Sequence, residues 1–274
     1  SPSQIANLTT TQIGDLSATQ IAALSSTQLA ALSATRSASL TAAQVAALSL
    51  TQLANLSTSQ LRALTTLAIS GFTPTEMAAL SESQLSAFSA AQFATLSRTQ
   101  IAALTTTQWS SLDTTLVAAL TAKQVANLTP TQLASLSQEQ VAAFTTTGLS
   151  ALTTTGIAAL RDTQIAAISA TAIGALAATQ IAAMTATQLA ALSTSQMGAI
   201  SATGIASLSC SDFAQVVCRR CHVFSNCFCC VILIRIIIGA KGRILRRFRV
   251  IGFRRRIQKN KSDDRHHQSQ DAAN

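Results

Sequence analysis

The residue types best able to carry chemistry are gathered at one end of this chain. All three His and five of the six Cys lie beyond residue 216, and the sixth, Cys210, stands just before that point. Cys218-Arg219-Arg220-Cys221-His222 has the C-x-x-C-H spacing in which paired thiols attach haem and the His ligates its iron. Cys218, Cys221 and His222, joined by Cys227, Cys229 or Cys230, would alternatively supply four zinc ligands. Both remain candidate sets only: no cytochrome-like sequence surrounds the first, and the second lacks the spacing of a familiar finger. The cysteines are read as structural or incidental, so no catalytic residue, cofactor or metal is assigned.

The same region carries the charge. Five basic residues face seven acidic ones up to residue 216, whereas fourteen basic and three acidic residues follow, so the overall charge of +9 belongs to the tail. Residues 223–240 are largely apolar, including Val231-Ile232-Leu233-Ile234 and Ile236-Ile237-Ile238, and a basic run from Lys241 to Arg256 follows. This pattern resembles a short membrane segment with a basic flank, so membrane contact is expected, if anywhere, through residues 223–256. Eighteen residues is near the lower limit for a span, and Arg235 would cost about 2.5 to 3.5 kcal/mol at the centre of an inserted helix. The basic run lacks the aromatic interleaving and folded context of a nucleic-acid module, and a nucleic-acid partner is not expected.

What must position any such chemistry is a repeat. Residues 1–216 divide into 27 octads in one unbroken register, seen cleanly in Ser17-Ala18-Thr19-Gln20-Ile21-Ala22-Ala23-Leu24. Ser17 suits the N-cap of a helix, and Gln20 three residues later completes the S/T-x-x-E/Q capping box. Leu16 before the cap and Ile21 after it make the hydrophobic staple. Pro2, Pro74 and Pro130 each directly follow a cap residue. That is the first helical position, where proline is tolerated, and an extended strand gives no reason for the shared placement.

The Leu24 position is apolar in every octad, and the Ile21 position is apolar in all but one, the exception being Ser37. One continuous helix fails to use this pattern, because eight residues make about 2.2 turns and the apolar stripe would precess by roughly 80° per octad. A β-solenoid is the alternative, but spacings of three and five put successive large residues on opposite faces of a strand, and the Ala, Leu and Gln content favours helix. The expected fold is therefore an all-α solenoid with one helix of about six or seven residues per octad, turning at each Leu-Ser junction. The remainder, residues 217–274, is expected to be an irregular or partly disordered basic tail and not necessarily an independent domain. So short a helix is marginal alone, which makes stability a property of the stacked array. Small residues at the Ala22 and Ala23 positions would let neighbouring helices approach closely, with Arg62 as the main intruder. The number of octads per coil is left open, although Phe72 with Phe88, and Phe93 with Trp109, are each sixteen residues apart.

Some octads depart from the rule. Arg36-Ser37 replaces box and staple residues together, Ala68 and Leu116 replace the Gln, and Gly148, Gly156 and Gly204 occupy the same position. They read as drift in a redundant array. The sequons at Asn7, Asn55 and Asn127 arise whenever Asn fills a small-residue slot before a cap. The recurring Thr triplets, as at Thr105-Thr106-Thr107, are read as capping and solvation, with a water-ordering or ice-binding surface as the rival.

In octads such as Thr129-Pro130-Thr131-Gln132-Leu133-Ala134-Ser135-Leu136, the array resembles the LT-x-x-Q-[IL]-A-x-L repeats of long bacterial proteins. The resemblance covers residues 1–216. It implies a secreted or cell-surface setting and brings no catalytic residue with it. Ser1 already stands at a cap position, consistent with a piece of a longer array, and no signal peptide is visible at this start. The functional expectation is a non-enzymatic scaffold, spacer or interaction stalk with a protein partner and no small-molecule substrate. Its rivals are the water-ordering Thr surface and a metal- or haem-binding tail.

Overall fold

The computed structural model describes residues 1–209. Among them are twenty-six short α-helices, one per octad from Pro2–Ala6 to Ala202–Ser207, and no strand. The described octads therefore form a helical solenoid, and the β-solenoid alternative is not realised. The boundary expected at residue 216 and the tail beyond it lie outside the described residues, as does all but the first residue of the twenty-seventh octad.

Helix starts follow the cap chemistry, and at Arg161 and Ala177, which offer no side-chain cap, they keep the octad register. Thr105 is extended at φ −71°, ψ 160°, and its hydroxyl accepts from the Gln108 backbone N–H at 3.2 Å. The Gln108 side-chain Oε1 accepts in return from the Thr105 N–H at 2.8 Å. Pro2, Pro74 and Pro130 all occupy the first helical turn. The helices are shorter than expected, at four to six residues. The reason is visible at their ends: the Leu that closes many octads is itself extended, as at Leu104 with φ −62°, ψ 130°. Two consecutive extended residues, this Leu and the next cap, make the turn without a positive φ.

The core is built as the periodicity predicts, from the Ile21-type and Leu24-type positions. Ile21, Leu61, Phe93, Ile101 and Trp109 are fully buried, and the closing residues from Leu32 to Leu192 are almost as well covered. The one polar residue in the Ile21 series, Ser37, is also buried, and its hydroxyl donates to the Ser33 carbonyl at 3.2 Å. Phe72 and Phe88 meet across the core with ring centroids 6.2 Å apart and an interplanar angle of 21°.

Coiling follows from which helices touch. The helix Pro74–Ala79 packs on Arg98–Ala103, and Ala178–Ala182 packs on Ala202–Ser207, each pair being three octads apart. Side-chain bonds between coils join residues 25 to 31 apart, so one coil takes more than three and fewer than four octads. Close approach at the small positions is real. A Cβ on Gly71 would lie 2.1 Å from the Ala42 carbonyl oxygen, and one on Gly174 would lie 2.8 Å from that of Ala199. Arg62, in the Ala22 position, uses the same proximity to donate from Nε to the Ala87 carbonyl at 3.4 Å.

Candidate functional site

A helix of one turn leaves nearly all its backbone carbonyls without intrahelical partners, and burial makes each of them costly. The array answers with its glutamines. Gln108 Nε2 donates to the carbonyls of Met77 at 2.9 Å and Leu80 at 2.8 Å, at the C-terminal end of the helix four octads earlier. With Oε1 on the Thr105 N–H, one amide thus caps the start of its own helix and the end of another.

This clamp recurs at Gln44, Gln52, Gln60, Gln84, Gln92 and Gln100, and onward to Gln196, always to the carbonyls 31 and 28 residues back. All of these glutamines are buried. Gln4, Gln12 and Gln20 are exposed and Gln28 is half-buried, the described residues holding no carbonyls 31 and 28 positions before them. Their Oε1 atoms still make the capping bond.

Sequence reasoning assigned the Gln a single bond and missed the second. A signal was present: eighteen octads carry Gln at this position and only one, with Glu76, carries Glu. A capping box accepts either residue, and a carboxylate is favoured near a helix N-terminus. Near-exclusive Gln therefore points to a task that needs N–H donors, which a carboxylate lacks. Glu76 is buried and caps Thr73 at 2.6 Å, and the register would place the Val45 and Leu48 carbonyls opposite it.

The irregular octads divide on the same criterion. Arg36 replaces Gln yet still donates, from Nε to the Leu8 carbonyl, 28 residues back, at 2.5 Å. Arg161, at a cap position, donates from a terminal guanidinium nitrogen to the Leu136 carbonyl at 2.7 Å. Ala68, Leu116, Gly148, Gly156, Ala172 and Gly204 have no side-chain donor to offer.

Away from the clamps the surface is hydroxyl-rich. In twelve octads the cap hydroxyl pairs with the hydroxyl two residues on at 2.8 to 3.4 Å, as in Ser17 with Thr19, Thr145 with Thr147 and Thr185 with Thr187. An open groove of about 580 Å³ runs between coils past Leu80, Ser81, Glu82, Ser83, Thr105 and Thr107. Glu82 is its single charged residue. Two exposed carboxylates are held below their ordinary pKa. Asp113 owes this first to the Thr115 backbone N–H, and Glu139 first to its own backbone N–H and then to the Ser137 hydroxyl.

No known protein family, curated protein or solved structure matches the chain.

Among the described residues no group of three or more His, Cys, Asp or Glu is placed to hold a metal ion. None of their helices is long and apolar enough to cross a membrane. The candidate ligands Cys218, Cys221, His222, Cys227, Cys229 and Cys230, and the expected membrane-contacting stretch 223–256, lie outside the described residues. Trp109 Nε1 is buried without a hydrogen-bond partner.

Proposed function

We propose that the array is a non-enzymatic scaffold that sets length and presents a repeated surface to a protein partner. The observation that carries this reading is the glutamine clamp, which joins coil to coil by the same two donor bonds wherever it occurs, so that length is added by repetition. The octads' resemblance to LT-x-x-Q-[IL]-A-x-L arrays supports the same role in a secreted or cell-surface protein. Deleting octads tests it. Spin labels at Thr11 and Thr187 in the full chain should move closer when residues 81–104 are removed, with the helical spectrum per residue unchanged. An unchanged distance, or loss of the helical spectrum, would remove the basis for a spacer.

A second reading is favoured by the paired hydroxyls, which recur at octad spacing on an exposed surface and could order water there. It predicts thermal hysteresis in a freezing assay of the full chain, and its absence would dispose of the reading. A haem- or zinc-binding role for the tail predicts haem absorbance or bound zinc in the purified protein.

A further inference from the structure

The clamps that tie an octad to the coils on either side of it fail together at one place. Octad 105–112 has the full set: Gln108 Nε2 donates to Met77 and Leu80 in the earlier coil, and the Trp109 and Leu112 carbonyls accept from Gln140 Nε2 in the later one at 2.9 and 2.7 Å. Octad 113–120 has neither. Leu116 stands where an amide would reach back, and Gly148 where one would reach the Val117 and Leu120 carbonyls. The capping box is gone as well, since Asp113 accepts from the Thr115 N–H at 3.0 Å and no Gln oxygen meets the Asp113 N–H. The next octad is half released: Gln124 ties it back to Phe93 and Leu96 at 3.0 and 2.9 Å, while Gly156 offers no donor to its Val125 and Leu128 carbonyls. Two other places come close. Ala68 and Glu76 are also consecutive, but Arg36 and Gln44 hold the octads opposite them to the preceding coil. Octad 169–176 lacks both clamps through Ala172 and Gly204, yet Gln164 and Gln180 clamp its two neighbours, and a Cβ on its Gly174 would lie 2.8 Å from the Ala199 carbonyl oxygen, so close is the later coil.

We infer that octad 113–120 is a built-in opening point of the solenoid, which detaches from the coils on both sides as a local unit while the octads around it stay folded. Leu116, Val117 and Leu120 are buried, so the octad is seated in the closed array and opens transiently. What resists opening elsewhere is the set of side-chain bonds between coils, each worth about fivefold in an opening equilibrium. The inference goes beyond the scaffold reading by giving the array a fixed yielding point, and its failure would leave a uniform spacer.

The test is native-state backbone hydrogen exchange of the full chain, read by mass spectrometry on short peptides. Amides of residues 113–120 should exchange at least about tenfold faster than those of 105–112, because four donor bonds are missing together. The double variant Leu116→Gln, Gly148→Gln restores the box and both clamps and should slow 113–120 to the rate of its neighbour. The added side chain has a place to start, since the nearest atoms to a Cβ on Gly148 belong to side chains, Thr145 Oγ1 at 3.1 Å and Val125 Cγ2 at 3.5 Å. The control pair Leu116→Met, Gly148→Ala fills the same positions and improves helix propensity at 148 without donors, and should leave 113–120 at the parental rate. Equal exchange of 113–120 and 105–112 in the parent chain would overturn the proposal, and that comparison decides alone if the Gln pair does not fold. A folded Gln pair that exchanges at the parental rate, or a control pair that protects as well as the Gln pair, would overturn it too.

Discussion

Replacing Gln108 by Glu separates the two jobs of the clamp. The carboxylate still accepts from the Thr105 N–H, now 2.8 Å from Oε1, but it cannot donate to the Met77 and Leu80 carbonyls. Two neutral bonds contribute about 1 kcal/mol each, and stranding buried carbonyls adds about 1 to 3 kcal/mol, so Q108E should cost about 3 to 5 kcal/mol. The same substitution at Gln12, which is exposed and makes only its capping bond, should change stability by less than about 0.5 kcal/mol. Urea unfolding followed by far-UV circular dichroism and by Trp109 fluorescence measures both. Trp109 is the single tryptophan and is fully buried beside the altered residue, so it reports that coil even if distant repeats unfold separately. Equal losses in Q108E and Q12E would refute the inter-coil role and leave capping as the whole explanation of the Gln.

The converse change, Glu76→Gln, supplies donors for the Val45 and Leu48 carbonyls and should raise stability by about 1 to 2 kcal/mol, read as a higher urea midpoint with an unchanged slope. Gly71→Ala drives a Cβ into the Ala42 carbonyl, 2.1 Å from the ideal position, and should cost about 3 kcal/mol, the upper part of the overpacking range, in the same assay. Asp113 and Glu139 have folded pKa values below their unfolded ones. Their contribution is therefore complete above the unfolded values near 4 and is lost as pH falls through the folded values. Melting temperature against pH should fall over that acidic window, and the double variant Asp113→Asn, Glu139→Gln should flatten the fall.

Local structure was legible because the octad encodes it residue by residue. The cap, the box and the three prolines placed the helix starts, the unbroken register supplied those after Arg161 and Ala177, and the two apolar positions named the core. Helix length was overestimated because the closing Leu counts as apolar and helical in composition, yet takes extended backbone to make the turn, as Leu104 does. Coil size was hidden for a different reason. Side-chain bonds between coils join residues 25 to 31 apart, between three and four octads, so their partners stand in different octad phases and leave no longer period in the sequence. Phe72 and Phe88, noted in the sequence only as sixteen residues apart, do meet in the core. Arg36 looked like a lost box residue, but its guanidinium keeps the donor role that the capping box does not require.

The clamp itself can be observed without mutation. Side-chain amide hydrogen exchange, resolved by NMR of the uniformly labelled chain, assigns each Gln Nε2 its own protection. The geometry predicts two classes: slow exchange for the glutamines from Gln44 to Gln196, whose amides bridge coils, and fast exchange for Gln4, Gln12 and Gln20, which are exposed. A single class of fast-exchanging amides would contradict the clamp and the coil register built on it.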